Sequence, residues 1–253
     1  MKIERAELIK KLSLSDTVFA FDLASKTIAR KAKPGQFIQI RIFDSFDPFL
    51  RRPFSFASVL GDRFRIVFRV RGKGTKILSQ CHSGQYLDIL GPLGKPIAQL
   101  QNQRLVLIGG GVGIAPLFFL AQRLGPSNHL TLLLGAKNRK ELIMLKDFKN
   151  LTKNIALTTE DGSFGKKGKV TDLLRNSEFG IRDSGLKIFA CGPWPMLRAI
   201  QKRFGSIPVY GFLEERMGCG TGICFCCAVK KKDGGYLRVC QEGPVVNLSQ
   251  VEI

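Results

Sequence analysis

Five of the seven cysteines in this 253-residue chain lie between Met217 and Cys240, in the stretch MGCGTGICFCCAVKKKDGGYLRVC. Thiols crowded this closely need a shared use, as a disulfide framework or a metal site. The odd total, and a start MKIERAELIKKL that carries charge where a signal peptide needs an apolar stretch, indicate a reducing, cytoplasmic setting where disulfides do not persist. Metal is therefore the expectation. Cys219, Cys224 and Cys227 are spaced C-x4-C-x2-C, and Cys240 follows after twelve intervening residues. That rhythm lets a tight loop carry three thiolates around a flat [2Fe-2S] cluster while a fourth arrives separately. Gly218, Gly220 and Gly222 let the backbone curl and turn N–H groups toward the sulfurs. Cys226 is the spare thiol, able to replace Cys227 if the register slips by one. A four-cysteine zinc site is the competing expectation, but it normally shows two close cysteine pairs, and here the fourth cysteine stands alone. Buried thiols without a ligand are a third, poorer account. His82 and His129, the only histidines, lie outside the cluster.

Forty Lys and Arg against twenty Asp and Glu give a net charge of +20, which raises nucleic acid or an acidic membrane as partners. The basic residues instead recur in short groups along the whole chain, such as Arg69 to Lys76 and Lys137 to Lys140, without the aromatic interleaving of a base-stacking surface. Solvated loops account for them, and neither nucleic acid nor membrane is expected. The uncharged run LVLIGGGVGIAPLFFLA, Leu105 to Ala121, approaches a membrane span in length. Three consecutive glycines and Pro116 argue instead for a buried strand, a glycine turn and a buried helix.

The rhythm of the chain changes twice. From Glu7 to about Ala98, short alternating runs such as TVFAFDL, RFRIVFRV and QYLDIL predict a small antiparallel barrel or sandwich. Between Arg104 and Phe204, four alternations follow: RLVLIGG with APLFFLAQRL, HLTLLLGA with KELIMLKDF, NIALTTE with KVTDLLRN, and LKIFACG with PMLRAIQKRF. They predict an open parallel sheet covered by helices. After Pro208 comes the cysteine-rich tail. The expected class is multidomain β plus α/β, with domains at 1–98, 99–208 and 209–253.

Two glycine-bearing motifs accompany these domains. GGGVGIAP, Gly109 to Pro116, follows a strand and opens a helix, where N–H groups and the helix dipole hold a pyrophosphate. It reads G-x-G-x-x-P from Gly111, and the acidic residue that would hold a ribose after the second strand is replaced by Lys137, Arg139 and Lys140. Cys191-Gly192-Pro193 ends the fourth strand, facing the same crevice outside the carboxyl ends of the sheet. In the first domain, RRPFSF from Arg51 reads as the end of a loop, followed by RGKGTK from Arg71; an arginine, a hydroxyl and the backbone at Gly74-Thr75 suit a phosphate-bearing ligand.

Taken in order, R-P-x-S, G-x-G-T, G-P-L-G at Gly91 to Gly94, G-G-G-x-G-x-A-P and C-G-P resemble the ferredoxin-NADP reductase superfamily. The cysteine loop and VCQEGPVV make the chain similar within it to the electron-transfer subunits of NAD-dependent (class 1B) dihydroorotate dehydrogenases. The resemblance covers nearly the whole chain. It implies an FAD-binding barrel, a nicotinamide domain and a [2Fe-2S] tail. FAD positions match Arg52, Pro53, Phe54, Ser55, Gly74 and Thr75, with Arg69, Val70 and Arg71 taken as part of that surface. Gly110, Gly111, Gly113, Pro116, Gly192 and Pro193 are assigned to NAD, with Cys191 near the nicotinamide, and Cys219, Cys224, Cys227 and Cys240 to the cluster. Phe54 stands where relatives often carry an aliphatic residue or tyrosine.

A nicotinamide exchanges a hydride while a [2Fe-2S] cluster carries single electrons, so a flavin, able to do both, links them. The resemblance implies a partner, an FMN-containing dihydroorotate dehydrogenase catalytic subunit, joined in a heterotetramer of two of each and serving pyrimidine synthesis. Two alternatives stand beside it: a related diaphorase subunit exchanging electrons with a hydrogenase, ferredoxin or sulfur-reducing partner, and a zinc-bearing nucleic-acid-binding protein. The resemblance implies NAD, while the residues leave NAD and NADP both open, since Lys137 and Arg139 suit either a 2′-phosphate or solvent.

Overall fold

The computed structural model describes residues 1–42, 47–175, 185–205 and 207–253. Period-two alternation closes an antiparallel barrel from β1 (Lys2–Ser15), β2 (Val18–Ala24), β3 (Phe37–Arg41), β4 (Arg52–Leu60), β5 (Arg63–Arg69) and β6 (Tyr86–Leu93), in the order β1-β2-β5-β4-β3-β6. In β6 the residues Leu87, Ile89, Gly91 and Leu93 are buried and their neighbours are not. Phe21 meets Phe68 edge-on at 5.1 Å, and Phe56 meets Phe64 at 5.3 Å. Helices α1 (Lys26–Lys31), capped by the Ser25 hydroxyl, and α2 (Lys73–Gln80) lie between strands.

Two features of the barrel differ from expectation. β1 begins at Lys2 rather than Glu7; its many charges hide a strand in which Ala6 and Leu8 are fully buried. Register shifts at Leu8/Lys10 and Ser13/Ser15 bend it, and it pairs with both β2 and β6 to close the barrel. RRPFSF is not the end of a loop, because β4 starts at Arg52 and runs through it.

Beyond the barrel come β7 (Arg104–Gly110), α3 (Ile114–Leu124), β8 (His129–Ala136), α4 (Leu145–Lys149), β9 (Ile155–Thr159), β10 (Lys166–Lys167), β11 (Leu186–Cys191), α5 (Trp194–Phe204) and β12 (Val209–Phe212). The tail adds β13 (Ala228–Lys230), β14 (Tyr236–Arg238), α6 (Val239–Glu242) and β15 (Val245–Asn247). The second sheet runs β10-β9-β8-β7-β11-β12-β15, parallel except for β15, which pairs antiparallel with β12. β7 and β8 are buried almost throughout, as strands covered on both faces must be. The long uncharged run is indeed strand, turn and helix: β7, a 3-10 turn at Gly111–Gly113, then α3.

Two of the four expected helices are cut short. KELIMLKDF forms a 3-10 turn at Arg139–Glu141, capped by the Asn138 side chain, and only five residues of α4, separated by Met144 at φ 57°. A left-handed residue breaks the α-helical ladder there. KVTDLLRN yields a 3-10 helix, Val170–Arg175, and its final Asn176 lies outside the described residues.

The chain divides into two compact units, Met1–Ile97 with Glu214–Val229 and Tyr236–Pro244, and Ala98–Leu213 with Lys230–Gly235 and Val245–Ile253. Among the described residues, no helix is long and apolar enough to cross a membrane. Phe21→Ala, at a site with no exposed surface, should lower unfolding free energy by about 3–5 kcal/mol in urea melts followed by circular dichroism; a loss under about 1 kcal/mol would mean that the barrel interior is not close-packed.

Candidate cofactor sites

In the cysteine loop, backbone N–H groups point at sulfur. Cys219 Sγ accepts from Thr221 N and Cys224 N, each at 3.4 Å, and Cys224 Sγ accepts from Cys219 N at 3.4 Å. Cys227 Sγ accepts from Cys240 N at 3.4 Å, and Cys240 Sγ from Gly222 N at 3.1 Å. These four sulfurs are the ones that the spacing selects. Cys226 is exposed and receives no such N–H among the described residues. Two glycines make the curl possible: a Cβ on Gly220 (φ +71°) would lie 2.6 Å from Gln39 Nε2, and one on Gly222 (φ +85°) 2.2 Å from Gln241 Oε1. Arg238 fastens the loop, donating to Gly222 O at 3.0 Å and lying over the Phe225 ring.

The thiols are electrostatically unlike. Burial opposes ionisation of Cys219, yet hydrogen bonds from Thr221 and Cys224 outweigh it and lower the thiol to about 5. Burial, then the hydrogen bond and charge of Cys227, push Cys240 up to about 12 against the pull of the Gly222 N–H. Among the described residues no three His, Cys, Asp or Glu side chains gather where a single ion would sit; a two-iron cluster offers its four thiolates two metals and does not need such convergence.

On the barrel, the two adjacent arginines have separate roles. Arg51 is tied to Asp88, through the backbone oxygen at 3.0 Å and the carboxylate at 2.8 Å. Arg52 instead lies over the start of α2, where a Cβ on Gly74 would be 3.2 Å from its Nε. RGKGTK is thus a helix N-terminus with an arginine across it, a combination suited to phosphate. The Thr75 hydroxyl is occupied locally, accepting from Arg71 N at 2.9 Å and Gly72 N at 3.2 Å. What α2 presents is its first-turn N–H groups, which have no intrahelical acceptor. Arg69 and Val70 hold the approach through Thr17, Arg69 Nη1 donating to its hydroxyl and Val70 N to its carbonyl. Phe54 is buried against Phe68 at 5.6 Å, Ser55 pairs in register with Phe37, and Pro53 with Gln39.

At the carboxyl edge of the parallel sheet, adjacent β7 and β11 bring the two remaining motifs together. Cys191 pairs with Gly109, and a Cβ on Gly113 would lie 2.5 Å from Cys191 O. Cβ atoms on Gly110 and Gly192 would each strike Met196. Gly111 takes φ +56° with open space around it. Pro116 is buried inside α3 and Pro193 caps α5. Cys191 has no exposed surface, so this edge presents the Gly192-Pro193 backbone rather than the thiol. Sequence reasoning passed over Glu214 and Gln39. Glu214 keeps solvent exposure, but crowding desolvates its carboxyl and raises it, with Arg71 pulling the other way. Only the fold reveals such surroundings.

A phosphate cradle on a barrel, followed by a glycine turn on a parallel sheet, is the construction of flavin-dependent pyridine-nucleotide reductases, to which the thiol loop adds an iron–sulfur branch. Comparison with known proteins agrees. Residues 214–252 match the iron-sulfur cluster binding domain of dihydroorotate dehydrogenase B, and residues 107–202 the oxidoreductase NAD-binding domain. The dihydroorotate dehydrogenase B (NAD(+)) electron transfer subunit of Geobacillus thermodenitrificans is 36% identical over 98% of both chains, and that of Fusobacterium nucleatum 34% identical over 100% of both. Among solved structures, an NADH-dependent reduced ferredoxin-NADP oxidoreductase, studied for flavin-based electron bifurcation, aligns with a TM-score of 0.87 at 32% identity, covering 98% of this chain and 89% of that one. Phthalate dioxygenase reductase shares the fold, with a TM-score of 0.69 at 12% identity over 99% of this chain and 98% of that one. The chain belongs to the family of dihydroorotate dehydrogenase B electron transfer subunits. FAD, a [2Fe-2S] cluster and NAD are its cofactors, and zinc gives way to iron–sulfur.

The thiol chemistry has a direct readout. In protein stripped of iron, iodoacetamide at neutral pH should alkylate Cys219 well before Cys240, because a thiol near 5 is ionised there and one near 12 is not. The Cys219 rate should fall only as pH drops toward 5. Peptide mass spectrometry showing Cys240 modified first would contradict the hydrogen-bond pattern.

Proposed function

We propose that the chain passes electrons from the FMN of a dihydroorotate dehydrogenase catalytic subunit, through its [2Fe-2S] cluster and FAD, to NAD+, in a cytoplasmic heterotetramer of two subunits of each kind serving pyrimidine synthesis. Residues 1–98 hold FAD, 99–208 the nicotinamide nucleotide and 209–253 the cluster. The observation that carries the reading is that the thiol loop, Glu214–Val229, belongs to one compact unit with the barrel that bears the phosphate cradle. Cluster and flavin are then seated on one body, as a wire between them requires.

Each residue set has a task in this scheme. Cys219, Cys224, Cys227 and Cys240 hold the cluster, with backbone N–H groups stabilising negative charge on their sulfurs. Arg52 and the start of α2 grip the FAD phosphates, while Pro53, Phe54, Ser55 and Arg69 to Thr75 shape the surface around it. Gly110, Gly111, Gly113 and Pro116, with Cys191, Gly192 and Pro193, form the nucleotide edge of the sheet. Flavin chemistry supplies the conversion between hydride and single electrons. Beside Cys224, Ile223 is 80% exposed and Phe225 58% exposed. Large apolar side chains held in water at the mouth of a redox loop suit a partner that docks there. A related diaphorase role is the second reading, favoured by the likeness to the NADH-dependent reduced ferredoxin-NADP oxidoreductase.

Alone, the protein should oxidise NADH with artificial dyes; adding the FMN-bearing catalytic subunit should create dihydroorotate-dependent NAD reduction. Coupling to ferredoxin instead would favour the diaphorase. Serine at Cys219, Cys224, Cys227 or Cys240 should remove iron and coupling while sparing much of the dye activity, and Cys226→Ser should keep both. Undiminished coupling without iron would sink the wire. Arg52→Ala should weaken FAD retention roughly tenfold to hundredfold, the equivalent of a lost charge-assisted hydrogen bond, measured as flavin occupancy after dialysis.

A further inference from the structure

Gln39 lies in the middle of β3 with no exposed surface, and neither Nε2 nor Oε1 has a hydrogen-bond partner among the described residues. A buried amide left unpaired loses its hydrogen bonds to water without replacement, a penalty that leucine or methionine would avoid. The register sets Gln39 directly across from Pro53, and Phe37 across from Ser55, so this part of β3 lies alongside the Arg52–Ser55 segment of β4. The far end of its side chain meets the cysteine loop. A Cβ built on Gly220 would fall 2.6 Å from Nε2 and 2.8 Å from Cδ, which places the carboxamide against the backbone between Cys219 and Thr221. Thr221 is one of the two residues whose N–H groups already donate to Cys219 Sγ. The loop therefore brings a glycine, at φ +71°, to a place where a side chain would collide with this amide.

We propose that Gln39 is a positioning residue for the two-iron cluster, its carboxamide donating a hydrogen bond on the Cys219 side of the sulfur envelope and so raising the cluster's reduction potential. Donors aimed at cluster sulfurs stabilise the more negative, reduced form. The inference rests on the four-cysteine assignment and adds a ligand-tuning group from the barrel, outside the cysteine motif.

Gln39→Leu and Gln39→Met, made in the holoprotein, remove the donor while keeping apolar bulk. Both should retain iron and FAD, yet show a cluster that is about tenfold harder to reduce, a shift of about 59 mV for a one-electron couple, in titrations followed by electron paramagnetic resonance. An exchangeable-proton coupling present in the reduced wild-type cluster should vanish in both variants. Unchanged potentials with iron retained overturn the proposal. So does loss of iron from both variants with FAD retained, which would mark a packing role. Wild-type protein lacking a two-iron signal would sink the cluster assignment first and this inference with it, so the two failures are distinguishable.

Discussion

Thiols taken partly out of water need hydrogen-bond donors before they can carry charge, and the cysteine loop is arranged to supply them. Burial and then the hydrogen bond and charge of Cys227 push Cys240 up to about 12, while hydrogen bonds from Thr221 and Cys224 outweigh burial and lower Cys219 to about 5. Backbone N–H groups offset part of the cost, and they can reach the sulfurs only because Gly220 and Gly222 take left-handed conformations in places where a Cβ would overlap Gln39 or Gln241. Arg238 then clips the loop by a carbonyl, an aromatic face and the Glu242 carboxylate. Glycine placement, N–H direction and the basic clip form one electrostatic solution, which bound metal completes by taking up the thiolate charge.

The barrel meets a different demand with similar means. An anionic ligand needs positive charge that is not already spent, and neighbouring Arg51 and Arg52 divide accordingly. Arg51 is bound to Asp88, whereas Arg52 faces the opening of α2. Arg65 with Asp22 and Arg30 with Asp62 likewise tie basic residues to barrel carboxylates. Among the described residues no Lys or Arg is buried.

What could be read without the fold depended on whether the chemistry is local. Cysteine spacing and the glycine turn at Gly111 are short-range patterns, and both keep the context they advertised. The start of β1 is hard to read because six charged residues fall within its first ten positions, where the pairing with β6 and β2 tells strand from helix. The helix after β8 was overestimated because apolar periodicity in KELIMLKDF says nothing of the left-handed turn at Met144. Nothing in FIQIR marks Gln39 as an amide without partners, since its significance comes from Gly220, far along the chain. The resemblance singles out Arg52, but that Arg51 is tied to Asp88 appears only in the fold.

The antiparallel strand that edges the second sheet is added late in synthesis. β15 follows the cysteine loop in the chain, yet it completes a sheet whose other strands all precede that loop. During synthesis, β12 emerges as a bare edge and stays so until every cysteine has left the ribosome, at about 5–20 residues per second. Bare edges invite pairing with other chains. Closing the sheet and completing the thiol set therefore fall at nearly the same moment of biogenesis.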